Sequence, residues 1–529
     1  MCGIFAYHGK DYELEDIHEQ ILSIQYRGPD STSYSMVDRN VLMVFHRLSI
    51  IGVDNGSQPL YHPEDENLSL ICNGEIYNYK ELNSKFQFSP RTDSDCEVIL
   101  HLYKKLGIEE TAKLLDGVFA FVLYDKNKKI MYSARDKYGV RPSFIGFRGS
   151  DYLIASEAKA LDPICSKLLP FPPGTWWSSE NPHAFTSFKQ DMFRRETIEN
   201  EQEICLKINK HLTNAVTKRM MSEREIGCLL SGGLDSSLIA ALVAKQMPDH
   251  KLKTFSIGFP GSIDVEYARK VADHIGSEHH EVVVEPQVFL DSIETVIYNI
   301  ESFDTTTVRA SVGNYLVSKY IKENTDCKVV FNGDGSDEVC MGYVYNVNAP
   351  SEKAFADENQ RLLDEIYLYD VLRSDRCVSS NGLEPRTPFL DKQFVEYYMT
   401  IPAKMKMFDG NQKIEKFLLR KAFADDNLLP DEVLWRAKCA FSDGVSNINN
   451  SWHKILQSYI DERVPDDEYY IHRRKIKHCE PKLKESYYYR KLFNNLFTPS
   501  MAYLIPKFWM PKWTDVIDPS ARELPNYKE

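Results

Sequence analysis

Nowhere in the 529 residues does an uninterrupted apolar run approach the ~18 residues of a membrane span, so no membrane partner is expected. The 11 cysteines are odd in number and contain no C-x-x-C pair, and no basic segment followed by an apolar one opens the chain. The expectation is a reduced, cytoplasmic compartment. Basic residues are in the minority: 64 Lys and Arg face 77 Asp and Glu, a formal net charge of −13. A field of that sign repels phosphate backbones, so nucleic acid is not expected as a partner. Internal repeats and low-complexity tracts are absent too. What is present, 43% hydrophobic and 27% charged residues with 25 Gly and 25 Pro, is an ordinary globular composition. At roughly 100 to 200 residues per domain, the length calls for about two to four domains.

Between Val41 and Glu157 short apolar runs (Val41 to Phe45, Leu68 to Cys72, Val118 to Tyr124) alternate with polar turns such as Lys126 to Lys129 and Arg148 to Asp151. These predict antiparallel hairpins. Helices are predicted over Asp16 to Gln25 and Ser94 to Leu106, the second carrying Val98, Leu102 and Leu106 on one face. A Pro- and Trp-rich loop between Leu169 and Gln190 marks a domain boundary, giving domains 1–190 and 191–529. Downstream, Ile204, Ile208, Leu212 and Val216 share a helical face. A strand at Ile226 to Leu230, a Gly-rich turn and a helix at Leu238 to Val243 follow. Strands at Thr254 to Phe259, His279 to Val284 and Lys328 to Phe331, with a helix carrying Ala268, Val271, Ala272 and Ile275, complete a βαβ succession. That predicts a doubly wound parallel sheet with its ligand at the C-terminal strand ends. Beyond Glu352 the pattern is helical, with no strand signal.

The chain opens Met1-Cys2-Gly3-Ile4. Aminopeptidase trims Met before small residues, so Cys2 is expected to become the first residue, with a thiol and a free α-amine together. That amine has a reference pKa of about 7.7 to 8.0 and can serve as the base for its own side chain. A cysteine is more often a small buried hydrophobe, but polar groups at strand ends elsewhere favour chemistry. Arg47 follows one strand, Asn73, Gly74 and Glu75 end another, and Asp95 begins a helix. An Arg grips a carboxylate bidentately, Asp and Glu take an ammonium, and an Asn amide with a Gly N–H stabilises an oxyanion. The substrate these fit is a free amino acid with a side-chain amide, glutamine.

Cys2-Gly3-Ile4, Arg27-Gly28-Pro29-Asp30, His46-Arg47-Leu48, Asn73 to Asn78 and Ser94-Asp95-Cys96-Glu97 fall in an order that resembles the class II, N-terminal-nucleophile glutamine amidotransferases. The resemblance implies an αββα sandwich, Cys2 as nucleophile and Asn73 with Gly74 as oxyanion hole. It places glutamine against Arg47, Leu48, Ser49, Ile50, Ile51, Asn73, Gly74, Glu75 and Asp95.

Ser231-Gly232-Gly233-Leu234-Asp235-Ser236-Ser237 lies between a strand and an apolar helix, where backbone N–H groups can cradle phosphate. No Lys follows at the spacing of a Walker A loop. A Ser-Gly-Gly run is often only a tight turn, but Asp235 stands beside it. A second acidic turn, Asn332-Gly333-Asp334-Gly335-Ser336-Asp337-Glu338, ends another strand. Asp235 and Asp337 facing a pyrophosphate make a plausible Mg²⁺ site, although Asp337 also suits a helix cap. The loop resembles that of the ATP pyrophosphatases. Joined to a glutaminase domain it resembles the glutamine-hydrolysing asparagine synthetase family, as do Glu301 to Ser311, Pro388 to Asp391, Leu418 to Arg420, Trp435 to Lys438, Phe441 to Gly444 and Trp509 to Trp513.

That resemblance implies ATP as co-substrate with Mg²⁺, bound by Leu229, Leu230, Ser231 to Ser237, Ile257, Asn332 and Gly333. It places Thr306 and Arg309 near aspartate and the transition state, and Lys438 near the activated carboxyl. Asn332 and Asp334 depart from the family's Ser and Glu; Asp334 keeps the charge on a shorter arm and is expected in a catalytic role. A homodimer is implied by the family alone. Two alternatives stand beside this reading: a related ligase acting on another carboxylate, such as a β-lactam synthetase, and a binding homologue without turnover.

Overall fold

A computed structural model describes residues 1–10, 14–189, 196–410, 412–438, 444–446 and 451–520. The expected boundary at 190 and most of the Phe441 to Gly444 segment lie outside the described residues. Among the described residues, twelve strands build the first part: β1 (Gly3–His8), β2 (Ser31–Asp38), β3 (Val41–Arg47), β4 (Leu60–His62), β5 (Asp65–Ile76), β6 (Gly117–Asp125), β7 (Ile130–Arg135), β8 (Phe144–Arg148), β9 (Asp151–Ala155), β10 (Lys167–Pro170), β11 (Thr175–Ser178) and β12 (Thr186–Ser187). They form two antiparallel sheets, ordered β10-β8-β9-β1-β3-β2 and β12-β11-β7-β6-β5-β4.

The strand runs are apolar almost throughout because both faces of each sheet are covered. In β1, Ile4 and Ala6 enter the core between the sheets, while Phe5 and Tyr7 point to the opposite face. In β6, Val122 lies between the sheets, and Phe121 and Leu123 pack under the helices Val98–Leu106 and Ile108–Leu114. Side chains that alternate across a strand, with apolar partners on both sides, yield an αββα stack. The expected first helix is Leu14–Leu22, with a separate 3₁₀ turn at Gln25–Arg27. The second is a 3₁₀ turn at Asp95–Glu97 followed by Val98–Leu106.

The second part begins with the helix Glu201–Lys218, started by a capping box between Asn200 and Glu203. Five parallel strands follow, β13 (Ile226–Leu229), β14 (Lys253–Gly258), β15 (Glu278–Val283), β16 (Val329–Phe331) and β17 (Glu384–Arg386), ordered β15-β14-β13-β16-β17. The chain winds outward from β13 through β14 to β15, then crosses back to place β16 on the other flank of β13. The loops after β13 and β16 therefore meet at the switch point of the sheet, where such folds hold ligands. β17 corrects the expectation of no strand beyond Glu352. It is only three residues long with Pro385 at its centre, and it survives because it is an edge strand that needs no N–H on its outer side. Downstream helices Trp452–Arg463 and Lys484–Leu496 pack Trp452 and Phe493 beside Phe289 and Phe303.

Ile71 is fully buried between the two antiparallel sheets, whereas Met36 on the edge strand β2 is 53% exposed. Ile71→Ala is expected to lower unfolding stability by about 2–5 kcal/mol. Met36→Ala should change it by no more than about 0.5 kcal/mol. Denaturant unfolding of both variants checks the pair.

Candidate active sites

The first site gathers at the ends of β1, β3 and β5. Cys2 lies just before β1; its N–H donates to Asn73 Oδ1 at 2.9 Å, its thiol faces the Leu48 carbonyl at 3.7 Å, and its own carbonyl accepts from Arg27 Nε at 3.2 Å. Asn73 is fully buried, and its Nδ2 has no partner. An unpaired buried amide donor is costly unless a ligand takes it. Gly74 packs against β6 so closely that a Cβ would meet the Val118 carbonyl at 2.3 Å. Arg47 is buried and donates to the Gly52 carbonyl at 2.6 Å and to Ser57 Oγ at 3.1 Å.

Two carboxylates face this space. Asp95 accepts from the Ile76 N–H at 2.6 Å, yet burial pushes its pKa up to about 7. Glu75 is pushed well above the usual carboxylate range by burial and then by the charges of Glu384 and Asp95. Its Oε2 is unpartnered, with Arg386 Nη2 at 3.8 Å. Burial also raises the Cys2 thiol to about 11. The loop Leu48 to Val53 is braced from the second half of the chain. Glu223 accepts from the Gly52 and Val53 N–H groups at 2.8 and 3.1 Å, and Arg224 Nε donates to the Ser49 carbonyl at 2.9 Å.

The second site is a cavity of about 360 Å³ at the switch point of the parallel sheet. Among the expected nucleotide residues only Gly232 and Ser237 stay off its wall; Thr306, Arg309, Asp334, Asp337 and Lys438 line it too. Gly232 turns at φ +73°, and a Cβ there would meet Ala268 N at 2.6 Å; Ser237 is buried one turn into the helix Leu234–Lys245. That helix starts at Gly233 without a side-chain cap, leaving its N–H groups free for an anion. Gly333 packs on this helix start, where a Cβ would meet Ser236 N at 2.7 Å.

Asp235 and Asp337 share one buried cation that sequence reasoning missed, Lys416, at 2.5 and 2.6 Å. Lys438 pairs with Asp337 as well and lies over the Tyr343 ring at 4.9 Å. Burial pushes the Asp337 carboxyl up, but Lys416 and Lys438 more than offset it and hold it well below the usual range. Lys416 stands two residues before the Leu418 to Arg420 motif and adopts φ +57°, so position beside a motif was its only signal. Two carboxylates that attract a shared cation offer the hard oxygen pair a divalent ion needs. Arg309 is committed elsewhere, to Glu485 (2.7 and 2.5 Å) and to Asp518 (2.8 Å twice). Thr306 Oγ1 donates to Asp304 at 2.7 Å, and Asp334 is held by Arg373 at 3.0 Å with its second oxygen buried and unpartnered.

A family model described as asparagine synthase matches residues 207–357 and 346–505, and one described as a glutamine amidotransferase domain matches residues 1–169. The chain is similar over its full length to curated proteins named asparagine synthetase [glutamine-hydrolyzing]. Those of Gallus gallus and Bos taurus are each 44% identical, and that of Homo sapiens is 43% identical. Each alignment spans 100% of this chain and 99% of the relative.

Burial leaves Asp95 protonated below about pH 7 in the ligand-free protein, and an ammonium ligand favours its ionised form. Binding of an amino acid there is expected to release this proton and to weaken by up to about tenfold per pH unit below about 7, levelling off above it. Titration calorimetry at pH about 6 in buffers of different ionisation enthalpy measures the release. Heats independent of the buffer would refute the assignment. For the same reason the empty protein should lose stability as pH rises from about 4 to 7, since the folded state binds the extra protons.

Proposed function

The chain belongs to the glutamine-hydrolysing asparagine synthetase family, and on that premise we propose how its two sites divide the reaction. It is an ATP-dependent ligase that makes L-asparagine from L-aspartate with glutamine as nitrogen donor. We assign residues 1–190 to the glutaminase domain and 191–529 to the synthetase domain, in a cytoplasmic homodimer.

The observation that carries the glutaminase assignment is Asn73. Its Oδ1 accepts from the Cys2 nitrogen, and its Nδ2 is buried with nothing to donate to. While Met1 is present the Cys2 nitrogen is an amide and Met1's ammonium pairs with Glu384 at 3.1 Å. Once Cys2 leads the chain, that nitrogen becomes the amine that takes the thiol proton. The sulfur then attacks the side-chain amide of glutamine, and Asn73 Nδ2 with the Gly74 N–H holds the oxyanion. Ammonia leaves, and water hydrolyses the thioester to glutamate. Glu75 and Asp95 bind the ammonium, with Arg47 and the Leu48 to Ile51 loop along the rest of glutamine.

In the second site the aspartate β-carboxylate attacks the α-phosphorus of ATP, giving β-aspartyl-AMP and pyrophosphate. Ammonia then attacks the β-carbonyl and AMP departs. The loop Ser231 to Ser237 holds the pyrophosphate at the helix start, with Gly232 and Ser237 off the cavity wall, and Leu229, Leu230, Ile257, Asn332 and Gly333 receive the adenosine. Asp235 and Asp337 would hold Mg²⁺, which when bound supplies charge neutralisation to the leaving pyrophosphate. Lys438 is placed to offset charge on the tetrahedral adduct, and Thr306 lies on the same wall. Arg309 spends four of its five N–H donors on Glu485 and Asp518, which leaves one Nη1 hydrogen for a ligand in the cavity it lines.

Cys2→Ala is expected to abolish glutamine-dependent synthesis and to spare synthesis from ammonia, since only the first site uses a thiol. Comparable loss of both in parallel assays would reject separate sites. Asp334→Ala should cut aspartate-dependent ATP–pyrophosphate exchange by ~10²-fold or more while glutamine hydrolysis continues. Asp334→Glu should be tolerated. Full exchange in Asp334→Ala would reduce this carboxylate to a loop residue.

A further inference from the structure

The described stretch from Lys507 to Ser520 contains no helix or strand, yet it is tied twice to the helix Thr305–Asn324, whose first turns carry Thr306 and Arg309. At one tie the Trp509 N–H donates to Asp304 Oδ1 at 2.7 Å, and Asp304 caps the same helix by accepting from the Thr307 N–H at 3.0 Å. At the other, Asp518 takes the Arg309 guanidinium with two bonds of 2.8 Å. Between them Lys512 pairs with Glu358 at 2.8 Å. Trp509, Pro511, Pro519 and Ser520 all line the synthetase cavity. The tail is therefore a wall of that cavity, and Asp518 is the residue through which the wall reaches Arg309.

From this arrangement we propose that Asp518, together with Glu485, is a positioning residue for the synthetase reaction: the two carboxylates set the plane of Arg309, so that its one free N–H is fixed before substrates arrive. The proposal rests on the assignment of the synthetase site given above. Glu485, on the helix Lys484–Leu496, accepts from Nε and Nη2, and Asp518 accepts from Nη1 and Nη2. Both Nη2 hydrogens are thus spent, and a planar group held along two adjoining edges does not turn about its stem. All three side chains are buried, which screens these bonds from water. Two carboxylates on one guanidinium leave it little net charge with which to draw an anion from a distance. What Arg309 offers is one directed donor, and a donor fixed in advance counts where charge develops in the transition state more than in ground-state binding. Asp518 is the partner that holds Nη1, the nitrogen carrying the free hydrogen. Without it the guanidinium pivots on Glu485 alone.

The test measures kcat and the KM values for aspartate and ATP in aspartate-dependent ATP–pyrophosphate exchange by the full chain, with glutamine hydrolysis as the check that each variant folds. Asp518→Asn keeps the shape but turns one acceptor into an N–H donor facing Arg309. It is expected to lower kcat by about 10²-fold, while both KM values stay within about twofold or fall. Asp518→Ala should lose as much and regain about tenfold or more when formate is added, since that small carboxylate fits the vacated place against Arg309. An unchanged kcat, or a rise in KM that accounts for the lost kcat/KM, overturns the proposal. So does a lower KM for aspartate with kcat kept or raised, which would make Asp518 a stand-in for the substrate carboxylate. If Asp518→Asn loses glutamine hydrolysis too, the formate response of Asp518→Ala decides, and no recovery overturns the proposal. If neither Asp518 variant hydrolyses glutamine, Glu485→Gln decides on the same kcat and KM criteria, with a kcat loss of about tenfold expected. Absence of exchange in the unaltered protein overturns the site assignment and the proposal with it.

Discussion

Charge removed from water has to be paired, and at the seam between the two halves of this protein that requirement governs almost everything else. Arg27, Glu157, Lys159, Glu301, Asp375, Arg376, Glu384 and Arg386 are all buried. Arg27 bridges Glu157 of the first half and Asp375 of the second, and Arg376 reaches Glu301 at 3.2 Å and Glu157 at 3.7 Å. Glu384 holds Arg386 at 2.9 Å and lies 3.6 Å from Arg141. Removing one member of such a set leaves a buried charge uncompensated, at a cost of about 3–5 kcal/mol. The relative placement of the two halves is thus specified by charge pairing as much as by apolar packing, and both reaction centres inherit their geometry from it.

The two centres use carboxylate pairs in opposite electrostatic settings. Glu75 and Asp95 are buried, with Arg386 no nearer to Glu75 than 3.8 Å, so burial wins and raises the pKa of both. Asp235 and Asp337 share Lys416, so for Asp337 pairing wins over burial and the charge persists. The first arrangement waits for an ammonium to complete it, and the second already holds anionic charge ready for a metal–phosphate complex. The same residue type does both, because the neighbours decide which of two competing terms is larger.

Much of this was legible in the linear chain. Cys2, Asn73, Gly74 and the Ser231 to Ser237 loop lie in short motifs at strand ends, where local order alone signals chemistry. Hairpins covered by helices and a parallel sheet could be anticipated from the apolar runs and the βαβ succession, whereas the αββα stack followed from the resemblance carried by the amino-terminal motifs. What was not legible depends on distant partners. Lys416 gains meaning only when Asp235 and Asp337 arrive from remote strands, and Glu384 and Arg386 lie on a strand whose proline hid it. Arg309, expected near substrate, is held by Glu485 and Asp518, far along the chain. Motifs record the groups that meet small molecules; they are silent about the groups that hold those groups still.

The edge strand Glu384–Arg386 belongs by hydrogen bonding to the parallel sheet, yet its charged side chains look into the neighbourhood of Cys2. A glutaminase half excised by itself would lose the carboxylate of Asp375, the guanidinium of Arg386 and the props from Glu223 and Arg224 on the Leu48 to Val53 loop. The two halves are therefore not interchangeable cassettes. Transplanting this amino-terminal unit onto another ligase would require carrying along a complementary patch of acidic and basic side chains.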